Sequence, residues 1–382
     1  MKQMNILIAP NSMKGSLNAF TFADVVEQAF HKSSEAFKTR KLPVADGGDF
    51  TGAVLARHLN AKEKHVMVRG PLGVEVSAKY AVADDTAVIE MADASGMKRV
   101  ERSKLNPMIA SSYGTGELII DALKNGCKEI FLAIGGSATV DGGMGMMEAL
   151  GFRFYDAAGN TLNGSGENLA KIDTIESHEF SDNVKIRIIC DVDNPLLGEQ
   201  GAASVFGPQK GATDEMIPKL EKGLANWAGL LEKHCGKELR NLEGAGAAGG
   251  IALPLIAFMK AEIVPGADFV LQQLGFDEQL RWADLVITGE GKIDSQTLNN
   301  KAPFAVANAA RKQNIPVIAL AGKVEEKATH VFDGVYSIVN GPMELDEAMQ
   351  RTAELLFNTA SQLAATLKAL LNLDVTALNT EA

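Results

Sequence analysis

The 382-residue sequence predicts an α/β protein of two domains: a doubly wound parallel-sheet domain built from both chain ends, and a mixed α/β domain inserted into it. Three observations carry this. Short apolar runs alternate with helically spaced stretches near both ends. The middle instead opens with consecutive strand-like runs that no helix separates. At roughly 100–200 residues per domain, the length suits two.

In chain order, residues 5–9 form a short apolar run that reads as a buried strand, and 11–18 a polar loop. Phe22, Val25, Val26, Ala29 and Phe30 recur at helical spacing. Residues 42–45 read as a second strand, emptying into ADGGDFTG. From Val66 the texture changes, and 66–68, 74–82 and 86–91 read as successive strands. A helix is expected at 117–123 and a strand at 130–134, then the loop GGSATVDGG and a helix at 144–150. Residues 185–190 form a strand emptying into DVDNP, 214–233 a helix, and GAGAAGG at 244–250 a hinge or packing loop. Residues 284–288 form a strand emptying into GEGKIDSQT. A helix at 303–311, strands at 316–320 and 335–339, a long helix at 345–371 and a frayed tail from 372 complete the pattern. The expected domains are 1–65 with 285–382, and 66–284, with a cleft between them.

Composition narrows the function. A formal net charge of −11 excludes a basic footprint for nucleic acid. It does not exclude an anionic small molecule, because local cations and backbone N–H groups reverse the potential locally. Cys127, Cys190 and Cys235 are scattered with no CxxC pair, as expected of reduced thiols rather than a zinc site. The N-terminal apolar run is too short for a signal peptide, and no 18-residue apolar run predicts a membrane helix. The expectation is a cytoplasmic protein with no membrane partner; whether it forms a homo-oligomer is left open.

Four segments repeat one design, an apolar strand, then glycine with carboxylate or hydroxyl residues, then a helix: NSMKGS (11–16), ADGGDFT (45–51), GGSATVDGG (135–143) and GEGKIDSQT (289–297). Ligands of open α/β sheets bind beyond the carboxyl ends of strands. Any one glycine pair reads equally as a tight turn; four such loops together point to one crevice. In GGSATVDGG, Gly135, Gly136, Ser137 and Thr139 offer backbone and hydroxyl donors to a phosphate ahead of a helix. No Walker A loop occurs, and the GxGxxG at 244–249 follows a charged stretch, so it reads as close packing rather than a dinucleotide fingerprint. Asp46, Asp191, Asp193, Glu290 and Asp294 are expected just past strand ends, where carboxylates serve magnesium or accept a hydroxyl proton in phosphoryl transfer. Asp191 and Asp294 lead, with the split between base and metal ligand open. Asp49 and Asp141 read first as helix caps. Lys14 and Lys210 are the candidate cations, although lysines are usually solvated. The histidines show no metal spacing, and no nucleophilic triad is visible.

IAPNSMKGSL, PVADGGDFTG, ASSYGTGELI, AIGGSATVDGG, CDVDNPLLG, FGPQKGA, GAGAAGG and ITGEGKIDSQT, in this order, resemble the glycerate kinase family of the glycerate 2-kinase type. The resemblance implies ATP- and Mg2+-dependent phosphorylation of D-glycerate to 2-phosphoglycerate, and two α/β domains, one of them Rossmann-like and made from both chain ends. The chain departs from the family pattern at Asn11 (usually Asp), Met13 (an aromatic), Asp49 (Glu), Phe50 (Gly), Val140 (Asn) and Asn300 (Gly). These departures bear on the acceptor. A kinase for a related hydroxy acid, and a non-catalytic protein binding a nucleotide or sugar acid, are the alternatives. Lys14, Asp46, Asp191, Glu290 and Asp294 together argue against lost chemistry.

Overall fold

The structure, a computed structural model, describes residues 3–48, 50–177, 183–295, 297 and 301–372. Two compact units divide the chain, Met1–Asp46 with Ala267–Ala382, and Gly47–Gly266. The expected boundaries fall later at both crossings. One reason is the helix Thr51–His58, which packs on strands Thr86–Glu90 and Glu75–Ala83 of the second unit.

The first unit holds a five-stranded parallel sheet in the order Gly334–Ser337, Val317–Val324, Leu285–Ile293, Met4–Ile8, Phe37–Lys41. The winding therefore reverses between Met4–Ile8 and Leu285–Ile293, which pair from Ile6 opposite Leu285 to Ile8 opposite Ile287. Side chains alternate across a strand. Ile6, Ile8, Leu285 and Ile287 pack with Phe22, Val26 and Phe30 of helix Ala19–Ser33 and Leu356 and Leu363 of helix Thr352–Leu371. Leu7 and Val286, which point the other way, are also buried, so both faces are covered. That is why these strands read as continuous apolar runs. Asn18 caps the Ala19–Ser33 helix by accepting the Thr21 N–H at 2.9 Å.

Two expectations are corrected here. The second strand is Phe37–Lys41, not 42–45. Leu42 and Val44 still donate to Ile8 O and Pro10 O, but Pro10 and Pro43 lack the N–H groups a regular ladder needs. The long C-terminal helix is two helices, Leu345–Gln350 and Thr352–Leu371, which part at Arg351, where ψ is 10°.

The second unit is built on a six-stranded sheet ordered Glu262–Pro265, Lys185–Cys190, Glu129–Ala133, Thr86–Glu90, Glu75–Ala83, Lys62–Arg69. The first four run parallel, and the last two join them antiparallel as the consecutive-strand region. A small antiparallel sheet of Thr161–Leu162, Arg153–Tyr155 and Thr174–Glu176 was not expected; strands of two or three residues leave no periodic signal. Its core includes Trp227 of helix Ile217–Cys235, whose ring meets Phe154 edge-on at 5.6 Å. Among the described residues, no helix is long and apolar enough to cross a membrane.

Candidate functional site

In the first unit the reversal point of the sheet gathers an acidic group, as ligand sites of such sheets lead one to look for there. Asn11, just beyond Met4–Ile8, donates its N–H to Gly289 O at 2.8 Å. Its Oδ1 accepts the Ser12 N–H at 2.8 Å, which turns the amide nitrogen towards Asp46; Nδ2 donates to Asp46 Oδ2 at 3.0 Å. Asn11, Asp46, Glu290 and Asp294 are all buried.

Glu290 does not follow a strand end. The Leu285–Ile293 strand runs through the GEG sequence, and Glu290 is a residue of the strand. Gly289 permits this, because a Cβ there would lie 2.0 Å from Leu320 O. Asp294 does follow the strand. Thr297 joins the two carboxylates: its N–H donates to Asp294 Oδ1 at 3.3 Å, and its Oγ1 donates to Glu290 Oε1 at 2.8 Å while accepting the Asp294 N–H at 3.0 Å. Lys292 Nζ pairs with Asp294 Oδ2 at 2.6 Å. Burial pushes the Glu290 carboxyl up to about 7; the Thr297 bond and the Lys301 charge pull it back, while Asp46 and Asp294 add to the rise. Lys301 is a nearby cation that the reading of strand-end loops missed. Lys14 is exposed in a tight turn closed by Met13 and Leu17, with Gly15 at φ 81°. Its backbone comes close to Gly291, whose absent Cβ would be 3.6 Å from Lys14 N.

Among the described residues, no three His, Cys, Asp or Glu side chains are grouped so as to hold a metal by themselves. Magnesium fits the acidic group on other grounds. A buried carboxylate pushed up beside two others is relieved by a divalent cation, and magnesium takes one or two protein carboxylates and completes its shell with water and phosphate.

In the second unit glycines of two expected loops meet each other and Asp191 of a third. A Cβ on Gly135 would lie 3.1 Å from Gly48 Cα, and one on Gly47 would lie 3.1 Å from Asp191 N. Asp191 is exposed directly after strand Lys185–Cys190. Gly136 has φ 73°, a conformation glycine adopts without strain. The loop is tied down on one side: Ala138 N–H donates to Ser95 O, and Gly136 O accepts from Met97 N–H. The amide of Ala138 is thus committed within the protein.

Asp141 caps the loop's exit, as its position suggested. Its buried carboxylate accepts from Ser112 N and Oγ at 2.7 Å each and from Gly143 N and Gly145 N at 3.2 Å each. Burial still pushes its carboxyl up. The helix that follows, Met144–Ala149, spans six residues.

Lys210 is not a solvated cation. It is 2% exposed, and Nζ donates to Ser137 Oγ and Thr139 O at 2.7 Å each. Burial pushes its ammonium down to about 7, against the pull of Asp141. Thr139 is fully buried, and its Oγ1 has no hydrogen-bond partner among the described residues.

GAGAAGG is a brace between two of these loops. A Cβ on Gly246 would lie 2.2 Å from Pro195 O, and one on Gly249 2.3 Å from Thr139 O. Gly249 O also accepts the Gly142 N–H. Gly249→Ala must displace backbone and hold alanine at φ 73°. The left-handed conformation alone costs about 1–2 kcal/mol. We expect a total of at least about 2 kcal/mol, hence a melting temperature about 4–8 °C lower. Calorimetry checks this; an unchanged melting temperature would deny the brace.

Of the departures from the family pattern, Asp49 and Asn300 lie outside the described residues. Phe50 holds a left-handed φ of 68°, where the pattern has glycine. Met13 is buried in the first unit's core and Val140 in the second's.

The sequence profile described as the glycerate kinase family matches residues 6–368. A glycerate kinase of Halalkalibacterium halodurans is 45% identical over 368 residues, 94% of this chain and 97% of that one. The glycerate 2-kinase of Escherichia coli is 40% identical over 373 residues, 95% of this chain and 98% of that one. A crystal structure of a candidate glycerate kinase 2 from Salmonella typhimurium matches with a TM-score of 0.86 at 42% identity, covering 97% of this chain and 100% of that one. The chain is a member of the glycerate kinase family.

Proposed function

We propose that the protein transfers the terminal phosphoryl group of ATP to the 2-hydroxyl of D-glycerate, with magnesium, in the cytoplasm. The observation that carries this reading is the pair of features expected of phosphoryl transfer: a buried carboxylate group at a sheet reversal, and a glycine-hydroxyl loop with a positive-φ glycine. The names of the relatives support the acceptor.

In this reading Gly135, Gly136 and Ser137 cradle ATP phosphates through backbone N–H groups and a hydroxyl. Thr139 belongs to the same loop, which Lys210 reaches from the turn Pro208–Lys210. Glu290 and Asp294 are the magnesium carboxylates, and Asp191 is a further carboxylate for the metal or the acceptor. The ion, when bound, neutralises phosphate charge. Asp46, held by the Asn11 amide, is oriented to take the proton of the glycerate hydroxyl. Lys14 supplies a positive charge to the transferring group.

Purified protein with MgATP should release ADP only when D-glycerate is added, and EDTA should stop it. Folded protein that shows no glycerate-dependent ADP release would remove the proposal. Release with another hydroxy acid instead would change the acceptor and keep the kinase.

A further inference from the structure

We propose that Lys210 is a positioning residue of the phosphate loop: it never touches nucleotide, and it acts by holding Ser137 Oγ and the Thr139 carbonyl in place from behind. The inference deepens the nucleotide reading above and rests on it.

The geometry argues for this over a direct contact. The short helical turn Pro208–Lys210 is fixed at both ends. Lys210 N–H donates to Gly207 O, and Gly211 N–H to Pro208 O. Gly211, at φ 90°, sits so close to Leu105 that a Cβ would lie 2.2 Å from its carbonyl oxygen; Gly207 is confined likewise, 2.2 Å from Ala203 O. The backbone that carries Lys210 therefore cannot swing outward without disturbing two packed turns. From it the side chain runs inward, with 2% of its surface exposed. Its nitrogen ends on two atoms of a loop that lies 73 and 71 residues earlier in the chain.

Chemistry points the same way. A cation meant for phosphate needs an approach from solvent, and burial of this ammonium is costly even with the charge of Asp141 in reach. Burial favours the uncharged amine, which has two N–H groups for the two oxygens it meets. What Lys210 does to its neighbours is specific. By donating to Ser137 Oγ it leaves the hydroxyl hydrogen free to point elsewhere, so that Ser137 presents a donor. By holding Thr139 O it fixes the peptide that ends the glycine run, whose other side rests on Gly249. Donors aimed in advance at an anion cost no reorganisation when it arrives.

The test is a double-mutant cycle on the full chain, Lys210→Met, Ser137→Ala and both together. The readouts are ATP affinity by calorimetry, KM for ATP and for D-glycerate, and melting temperature. Lys210→Met should weaken ATP binding at least tenfold with KM for glycerate within twofold. Ser137→Ala should weaken it by a smaller factor. The double variant should be no worse than about twice Lys210→Met, because the lysine acts through the serine. Independent factors that multiply, together with a loss of affinity that grows with ionic strength for the wild type only, would mean a direct phosphate contact and overturn the inference. Wild-type ATP affinity in folded Lys210→Met would overturn it too. Should Lys210→Met not fold, Ser137→Ala decides: an ATP affinity lowered severalfold at unchanged melting temperature supports the role, and unchanged affinity denies it. Gly136→Val separates the underlying reading. If that variant also binds ATP normally, the loop is not the phosphate site at all; if it alone loses ATP, the loop stands and only the role of Lys210 falls.

Discussion

Gly136→Val is expected to lose at least about a hundredfold in kcat while remaining folded. Valine is β-branched and Gly136 has φ 73°, so the variant must rebuild the loop locally. Such strain costs about 1–3 kcal/mol, less than the 5–15 kcal/mol that typically separates folded from unfolded chains. Loss of one preorganised donor to developing charge costs about 2.7–4 kcal/mol in the transition state, a factor of about 10²–10³. Ser137→Ala removes a hydroxyl but keeps the backbone donors and should be milder. A turn with only a structural role gives the opposite pattern: a lower melting temperature with ATP affinity intact in the folded fraction. Melting and ATP binding measured on the same variant tell the two apart.

Glu290→Gln is expected to separate activity from stability. Glutamine keeps the shape and can still accept from Thr297 Oγ1, but it removes the charge. Turnover should fall at least about a hundredfold, the scale of a lost electrostatic contact in phosphoryl transfer, and half-saturation by magnesium should rise. Stability should move the other way, with a defined sign. The folded-state pKa is raised to about 7, so the glutamate's contribution to stability is full below its unfolded value and is lost as pH rises through 7. In EDTA, Glu290→Gln should therefore gain melting temperature relative to wild type between pH 5 and pH 8. A variant that melts lower at pH 8 and turns over normally would make Glu290 a structural residue.

How much of this could be read from the chain depends on what each residue's neighbours are. Buried parallel strands such as Met4–Ile8 and Lys185–Cys190 announce themselves as apolar runs, because both faces of a parallel sheet are covered. The edge strand Phe37–Lys41 carries the sequence FKTRK, where Phe37 alone is apolar and no run is left to recognise. GEGKI looks like a loop, yet it continues the Leu285–Ile293 strand, since the glycine is there for a close approach to Leu320 O rather than for a turn. The candidate loops 11–16 and 135–143 do lie beyond strand ends as read. The partners that set the chemistry of the site were not legible: Lys301 beside Glu290, Thr297 between two carboxylates, and Asn11 on Asp46 are tertiary facts. Lys210 was legible as a candidate cation but its burial was not, because lysine is almost never buried and its partners lie more than 70 residues away. GAGAAGG was legible as a packing element, though not as the brace of two loops.

Transfer of phosphate to the 2-hydroxyl of D-glycerate is tested by NMR of the product formed from D-glycerate, ATP and magnesium. A phosphorus signal coupled to the single proton on C2 is expected. Coupling to the methylene pair on C3 would contradict the position of transfer, and the absence of any phosphorylated glycerate with folded, ATP-binding protein would contradict the kinase activity.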